Sequence, residues 1–316
     1  MKKIFFAAIA LVALASCAKE EFVSVNRQAI SFGEAFVDNA TRADYSVAGN
    51  LTEFYVYGTA SGTMQGGGTV NIFDGDEVTG TVGNNVWNCT ETQYWIPGAN
   101  YAFAAVVDAT VDNTTDDVDA NGMPAKLHTK LDTAVTGSMH LLDMLYAEAT
   151  VDGDDVIVGY NTPVNFTFQH LLSKVHFTVT STAQGDYSHK VTGIKVYNYA
   201  EGTYTINGGT WNVNGDPVAV TFADIAGVSS TNGTTGVSNA DMLLVPTAAT
   251  YNVTFTVELY KGTTKLGTET KTIPVEKDLV KGNAYNFTIA CSVGNPIQFS
   301  VTNDPTWGTQ PDVTIQ

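Results

Sequence analysis

The chain has 316 residues, a formal net charge of −17 and 44% hydrophobic residues, so it is acidic yet carries enough apolar side chain to fold rather than stay disordered. That charge argues against nucleic acid as a partner. The three cysteines, Cys17, Cys89 and Cys291, are too few and too far apart for a disulfide framework, and the length implies either two domains or one large all-β domain.

Lys2 and Lys3 precede an apolar run over 4–14 that is shorter than the roughly 20 residues of a membrane-spanning helix. It reads as a cleaved export signal, residues 1–16. Leu14-Ala15-Ser16-Cys17 matches a lipobox, which places signal-peptidase cleavage between Ser16 and Cys17 and lipid on Cys17. Two or more acyl chains on one cysteine hold a protein to a membrane far better than a single chain does.

Residues 17–42 form a leader with one short alternating run, Ala29-Ile30-Ser31-Phe32, between polar flanks. Beyond it, apolar residues recur at every second position, as in Phe54/Val56, Val164/Phe166/Phe168 and Val175/Phe177/Val179. The same holds for Ile194/Val196, Tyr285/Phe287/Ile289 and Ile297/Phe299/Val301. Val253, Phe255, Val257 and Leu259 alternate with Asn252, Thr254, Thr256 and Glu258, giving one apolar and one polar face on the same strand. Turn signals such as Asn207-Gly208-Gly209 and Asn232-Gly233 separate these runs. The expectation is an all-β protein whose strands stack as two sheets per domain. Only 138–149 hints at a helix, with a loop and short strand as the alternative. Ala183-Gln184-Gly185-Asp186 interrupts two strong strand patterns, so domains are expected over 43–183 and 184–316.

No Gly-x-Ser-x-Gly elbow, His-Glu-x-x-His helix, Cys-x-x-Cys pair or phosphate-binding glycine loop occurs, so no enzyme activity and no cofactor are expected. His170 and His176 would share a face on one regular strand, and hydrogen bonding by His170 at the strand start is favoured there over metal ligation. Asp117-Val118-Asp119-Ala120-Asn121-Gly122 reproduces the first half of a calcium loop. The twelfth position is His128 rather than Glu, so a solvated acidic loop is expected and no metal site. Asp152-Gly153-Asp154-Asp155 reads as a turn. Trp87, Trp95, Trp211 and Trp307 are candidates for a sugar-stacking platform, but each lies in or beside a strand pattern and is expected in the core.

Both arginines, Arg27 and Arg42, lie in the leader, whereas ten lysines and no arginine follow Arg42. An arginine-specific protease could therefore cut between Arg42 and Ala43 and spare the rest. The cut would discard the lipid on Cys17 together with Ile30 and Phe32. If those two side chains fill a sheet, their loss exposes a groove with unpaired backbone groups. Val313 and Ile315, in Pro311-Asp312-Val313-Thr314-Ile315-Gln316, have the alternation needed to fill such a groove as a donor strand. Head-to-tail contacts of that kind produce filaments.

The lipobox at Cys17, the Ala40-Thr41-Arg42-Ala43 junction, Phe54-Tyr55-Val56-Tyr57-Gly58 and Tyr94-Trp95-Ile96-Pro97-Gly98 followed by Tyr101-Ala102-Phe103-Ala104-Ala105 occur in that order. Asp143-Met144-Leu145-Tyr146-Ala147 and Phe168-Gln169-His170-Leu171-Leu172-Ser173-Lys174-Val175 complete the series. Together they resemble the fimbrillins that build type V pili in Bacteroidia. Ala18-Lys19-Glu20-Glu21 also resembles the acidic tag of surface-exposed lipoproteins in that group. The resemblance implies two transthyretin-like β-sandwich domains in tandem, export to the outer membrane as a lipoprotein, and removal of the first strand by an arginine-specific surface protease. It further implies polymerisation with other fimbrial subunits by strand exchange, in an adhesive fimbrium at the cell surface. A surface-anchored glycan-binding lipoprotein, a calcium-dependent tip adhesin and a membrane-retained anchor subunit are the alternatives.

Overall fold

The computed structural model describes residues 28–37, 51–62, 68–81, 86–112, 116–133, 139–229 and 235–304. Ser16, Cys17, Arg42, Ala43, Trp307, Val313 and Ile315 lie outside them. Among the described residues every regular element is a strand and none is a helix.

The first strands are β1 (Phe32–Val37), β2 (Glu53–Ser61), β3 (Thr69–Gly80), β4 (Trp87–Cys89), β5 (Asn100–Val107), β6 (Ala109–Thr110) and β7 (Lys126–Thr129). They are followed by β8 (Leu145–Val151), β9 (Val164–His170), β10 (Ser173–Ser181), β11 (Tyr187–Asn198), β12 (Gly202–Thr205), β13 (Thr210–Val213) and β14 (Val218–Thr221). The remainder are β15 (Ile225–Val228), β16 (Thr235–Ser238), β17 (Met242–Leu244), β18 (Tyr251–Lys261), β19 (Thr264–Val275), β20 (Ala284–Cys291) and β21 (Gln298–Asp304).

Instead of two separate sheets, the first half forms one closed barrel in the order β1-β4-β3-β2-β5-β8-β9, with β9 returning to β1. The physical reason is β1 itself, which pairs antiparallel with β4 on one side and parallel with β9 on the other. Alternation along β9, where Val164, Phe166, Phe168 and His170 are buried and Asn165, Thr167 and Gln169 exposed, turns one face of that strand to the barrel interior. Phe54, Phe73, Phe103, Phe166 and Phe168 fill the space inside.

The second half holds two sheets, β16-β10-β20-β21 with β17 beside β10, and β14-β11-β18-β19 with β15 beside β11. Val175, Phe177, Phe287 and Ile289 of the first meet Val191, Val196, Val253 and Phe255 of the second in one buried cluster, the arrangement of a β-sandwich. Its period-two signal follows from each strand having one covered face.

A small third sheet, β13-β12-β7-β6, joins the halves. Thr203, Tyr204 and Thr205 of β12 pair with His128, Leu127 and Lys126 of β7. Beneath it Leu127, Tyr204 and Val245 pack on Tyr57, Ala104 and Val106 from the outer face of the barrel. Strands β2 and β5 are therefore covered on both faces, which is why they read as nearly continuous apolar runs.

Pairing passes from the barrel to the sandwich at Leu171-Leu172, between β9 and β10; residues 173–181, before the 183–184 position drawn from sequence, pair within the sandwich. The chain turn there also separates His170 from His176, so they do not share one strand face. His170, at the end rather than the start of β9, sets Nδ1 3.0 Å from the buried Asp143 carboxylate, and His176 Nδ1 stands 3.2 Å from Asp241. Of the 138–149 segment, where a helix is one possibility, residues 139–144 carry no helix and 145–149 belong to β8, as the alternative of a loop and short strand has it.

His189 is buried beside Ser181, with Nδ1 2.8 Å from the hydroxyl. Burial lowers its pKa below the ordinary 6.5, because an imidazolium there would be desolvated. Above pH 6.5 the ring is neutral folded or unfolded and contributes no pH dependence; below it only the unfolded chain takes the proton readily, so stability falls. We expect the denaturant midpoint to drop between pH 7 and pH 5 less steeply in His189→Gln than in the parent, measured by urea unfolding.

Candidate assembly site at strand β1

The segment 28–37 enters the barrel as a strip bound on both sides. On one side Ile30 N–H donates to Gln93 O at 2.8 Å and Trp95 N–H donates to Gln28 O at 3.0 Å. On the other, Val164 N–H donates to Ser31 O at 2.8 Å, and Ala35, Phe36 and Val37 stand opposite Phe166, Thr167 and Phe168. Backbone groups of β4, β9 and the loop before Trp95 are thereby satisfied by a strand joined to the barrel only through its own following residues.

Side chains lock the strip in register. Ile30, Phe32 and Ala35 are 6%, 3% and 4% exposed, while Ser31 and Glu34 face solvent. The Phe32 ring stacks on Phe166 at 5.9 Å between centroids, meets Phe54 and Phe103 edge-on at 6.1 and 6.4 Å, and lies 5.6 Å from Phe73. Offset and edge-on pairs of this kind add to simple area burial. Gly58 on β2 makes the room, since a Cβ there would come within 3.0 Å of both Phe73 and Phe103.

Immediately after Phe32 the register shifts, with a bulge between Phe32 and Ala35. Gly33 is buried, and a Cβ on it would collide with Asn165 Oδ1 and come 2.9 Å from Pro163 Cβ. The same Asn165 oxygen accepts the Glu34 N–H at 2.9 Å. Ala35, Gly33 and Asn165 were not singled out in the sequence; a glycine inside a strand pattern was the available signal for the bulge and the close approach.

The acidic loop is organised differently from a calcium loop. Asp119 Oδ1 accepts Asn121 and Met123 N–H at 2.8 and 2.9 Å, capping a turn. Asp117 is buried and faces the other way, its Oδ2 2.7 Å from His128 Nε2 and accepting Asp112 N–H at 3.2 Å. His128 Nδ1 lies 3.0 Å from Thr203 Oγ1, so the imidazole ties the β6–β7 loop to β12. Asp112, Asp117 and His128 are the described residues that bring three potential ligand atoms within 4.8 Å. Asp152 caps the turn over 152–155 through Asp154 N–H at 2.9 Å.

The tryptophans offer no sugar platform among the described residues. Trp87 and Trp95 are buried, and Trp211 is half-buried, its ring 5.4 Å from Tyr204 and its Nε1–H donating to Leu171 O at 3.2 Å. Cys89 and Cys291 are free thiols; burial pushes Cys291 up to about 11.

Truncating Phe32 would empty an aromatic slot deep in the barrel. Phe32→Ala should lower the stability of the uncut chain by about 3–5 kcal/mol, measured by denaturant unfolding.

No curated protein sequence matches the chain. Among solved structures, a candidate cell adhesion protein from Bacteroides uniformis superposes with a TM-score of 0.52 at 19% identity, over 89% of this chain and 98% of that one. A second, from Bacteroides ovatus, gives a TM-score of 0.50 at 16% identity, over 88% and 95%. These likenesses concern the fold. In sequence, the pattern of the fimbrillin-like family matches residues 41–305, leaving β1 before the matched segment. The chain belongs to the fimbrillin-like family.

Proposed function

We propose that this chain is a stalk or tip subunit of a type V fimbria, exported as a lipoprotein through Cys17, cut between Arg42 and Ala43, and polymerised by strand exchange. Family membership supports the fimbrial subunit at the cell surface. The tandem transthyretin-like reading of the two halves belongs to the same proposal.

The observation that carries it is the placement of β1. Ile30 and Phe32, the side chains that a cut after Arg42 would release, are buried in the barrel, and β1 is the strand that joins β4 to β9. While Arg42 is intact the strip is tethered and wins its groove by proximity. After the cut it becomes a dissociable peptide, and its departure leaves two open sheet edges and an empty aromatic slot. A segment from a neighbouring subunit, paired main chain to main chain and inserting alternate side chains, restores both. The segment carrying Val313 and Ile315 is the proposed donor.

The partners are other fimbrial subunits and an arginine-specific surface protease, with the lipid on Cys17 serving as a temporary tether. Beyond Arg42 the chain carries 28 acidic residues against ten lysines, a charge that keeps free subunits apart, so assembly relies on apolar insertion. The role is structural, with adhesion as its outcome.

Arg42→Ala is expected to leave the leader attached and to abolish polymer ladders on a gel; ladders as abundant as the parent's would contradict the proposal. Deleting 311–316 should leave cleavage intact while reducing polymerisation, read on the same gels.

A further inference from the structure

The β1 groove is selective in a way that the alternation of Ile30 and Phe32 does not express. Its central slot takes an aromatic ring among Phe54, Phe73, Phe103 and Phe166. A Cβ at the next position would collide with Asn165 Oδ1 and come 2.9 Å from Pro163 Cβ, so one or both would have to shift. Asn165 Oδ1 accepts the Glu34 N–H while the leader is in place, and an incoming strand can remake that bond only if Asn165 stays where it is. An occupant that keeps this path therefore needs an aromatic residue followed directly by glycine.

The sequence contains that dipeptide at Phe32-Gly33, Tyr57-Gly58 and Trp307-Gly308. Tyr57 and Gly58 belong to β2, which is paired on both sides, with β3 and β5. Trp307-Gly308 follows β21, which ends at Asp304. We infer that Trp307 and Gly308 of a second copy of this chain take the places of Phe32 and Gly33 when β1 leaves. This rests on the strand-exchange reading above and specifies its register.

With Trp307 on Phe32, the remaining positions align as follows. Thr306 and Thr309 fall on the exposed Ser31 and Glu34, where polar side chains face water. Thr309 N–H takes over the bond to Asn165, and Thr306 C=O the bond from Val164 N–H. Pro305 enters the apolar place of Ile30 but has no N–H for Gln93 O, and Gln310 replaces the buried Ala35. At these two positions the leader fits better than the donor. That difference has a use: a tethered leader is not displaced, and exchange proceeds only once the cut has freed it.

Registers that centre on Val313 or Ile315 fare worse at the same point. Placing Ile315 on Phe32 puts Gln316 on Gly33, and placing Val313 there puts Thr314 on Gly33. Either brings a Cβ into Asn165 and Pro163 and leaves the aromatic slot underfilled. In the inferred register Trp307 lies three positions beyond Asp304, a reach of about 10 Å in extended chain. The neighbour's β21 must therefore end beside the groove.

The test uses the full chain cut at Arg42 by an arginine-specific protease in the presence of a fluorescent peptide of residues 305–316, with capture read by anisotropy. The parent peptide should bind after the cut and not before. Trp307→Ala and Gly308→Val peptides should each bind about thirtyfold more weakly or worse, the usual effect of losing a central interface anchor. A double Val313→Asp, Ile315→Asp peptide should lose less than either, and Gln310→Ala should bind more tightly than the parent. If the double Asp peptide fails while Trp307→Ala and Gly308→Val bind like the parent, the register is wrong although the groove accepts a donor. If the parent peptide is not captured by cut protein, the strand-exchange reading falls together with the register.

Discussion

The first half of this protein depends on one strand being paired on both edges. β1 bonds to β4 on one side and β9 on the other, and Phe32 sits among four phenylalanines contributed by β2, β3, β5 and β9. Closure of the sheet and filling of its interior are therefore one event. A barrel made this way has no free edge while β1 is present. Without β1 it has an edge at β4, an edge at β9, and an apolar slot between them.

The strands that face the slot are supported from behind. Tyr57 of β2 and Ala104 and Val106 of β5 turn outward into the cluster beneath the β13-β12-β7-β6 sheet, so two walls of the barrel are packed on both faces. β4 and β9, by contrast, bond directly to β1. Loss of β1 thus bears most on β4 and β9, while β2 and β5 keep their outer contacts with the second half. The His128 bridge from Asp117 to Thr203 fastens the same small sheet. An acceptor of the proposed kind, which must stay folded with its groove briefly empty, would be served by this arrangement.

Much of the architecture was legible in the sequence because sandwich strands have one dry and one wet face. Val253, Phe255 and Val257 alternate with less buried neighbours in β18 as their pattern requires. Ile30 and Phe32 could be picked out for the same reason, and the arginine distribution drew attention to the segment that contains them. The barrel was not legible, because closure is set by which strands meet at the edges, and alternation carries no information about partners. Strand pairing passes from barrel to sandwich at the apolar Leu171-Leu172, which no turn signal marks. Asp117 and Asp119 looked equivalent as oxygen donors two residues apart. Their backbone turn sends one carboxylate to His128 and the other to local amides, a distinction spacing does not encode. Gly33 was visible as a residue, but its constraint comes from Asn165, which is more than a hundred positions away.

In the proposed assembly β1 is the removable strand, and its place is refilled by a neighbouring subunit. Amide hydrogen exchange at Trp95 and Val164 tests it directly, since these two N–H groups donate to Gln28 and Ser31 of the leader. Both should be protected in the uncut chain, lose protection in monomer cut after Arg42, and regain it in the polymer. Unchanged protection in cut monomer, with the leader peptide released, would contradict it.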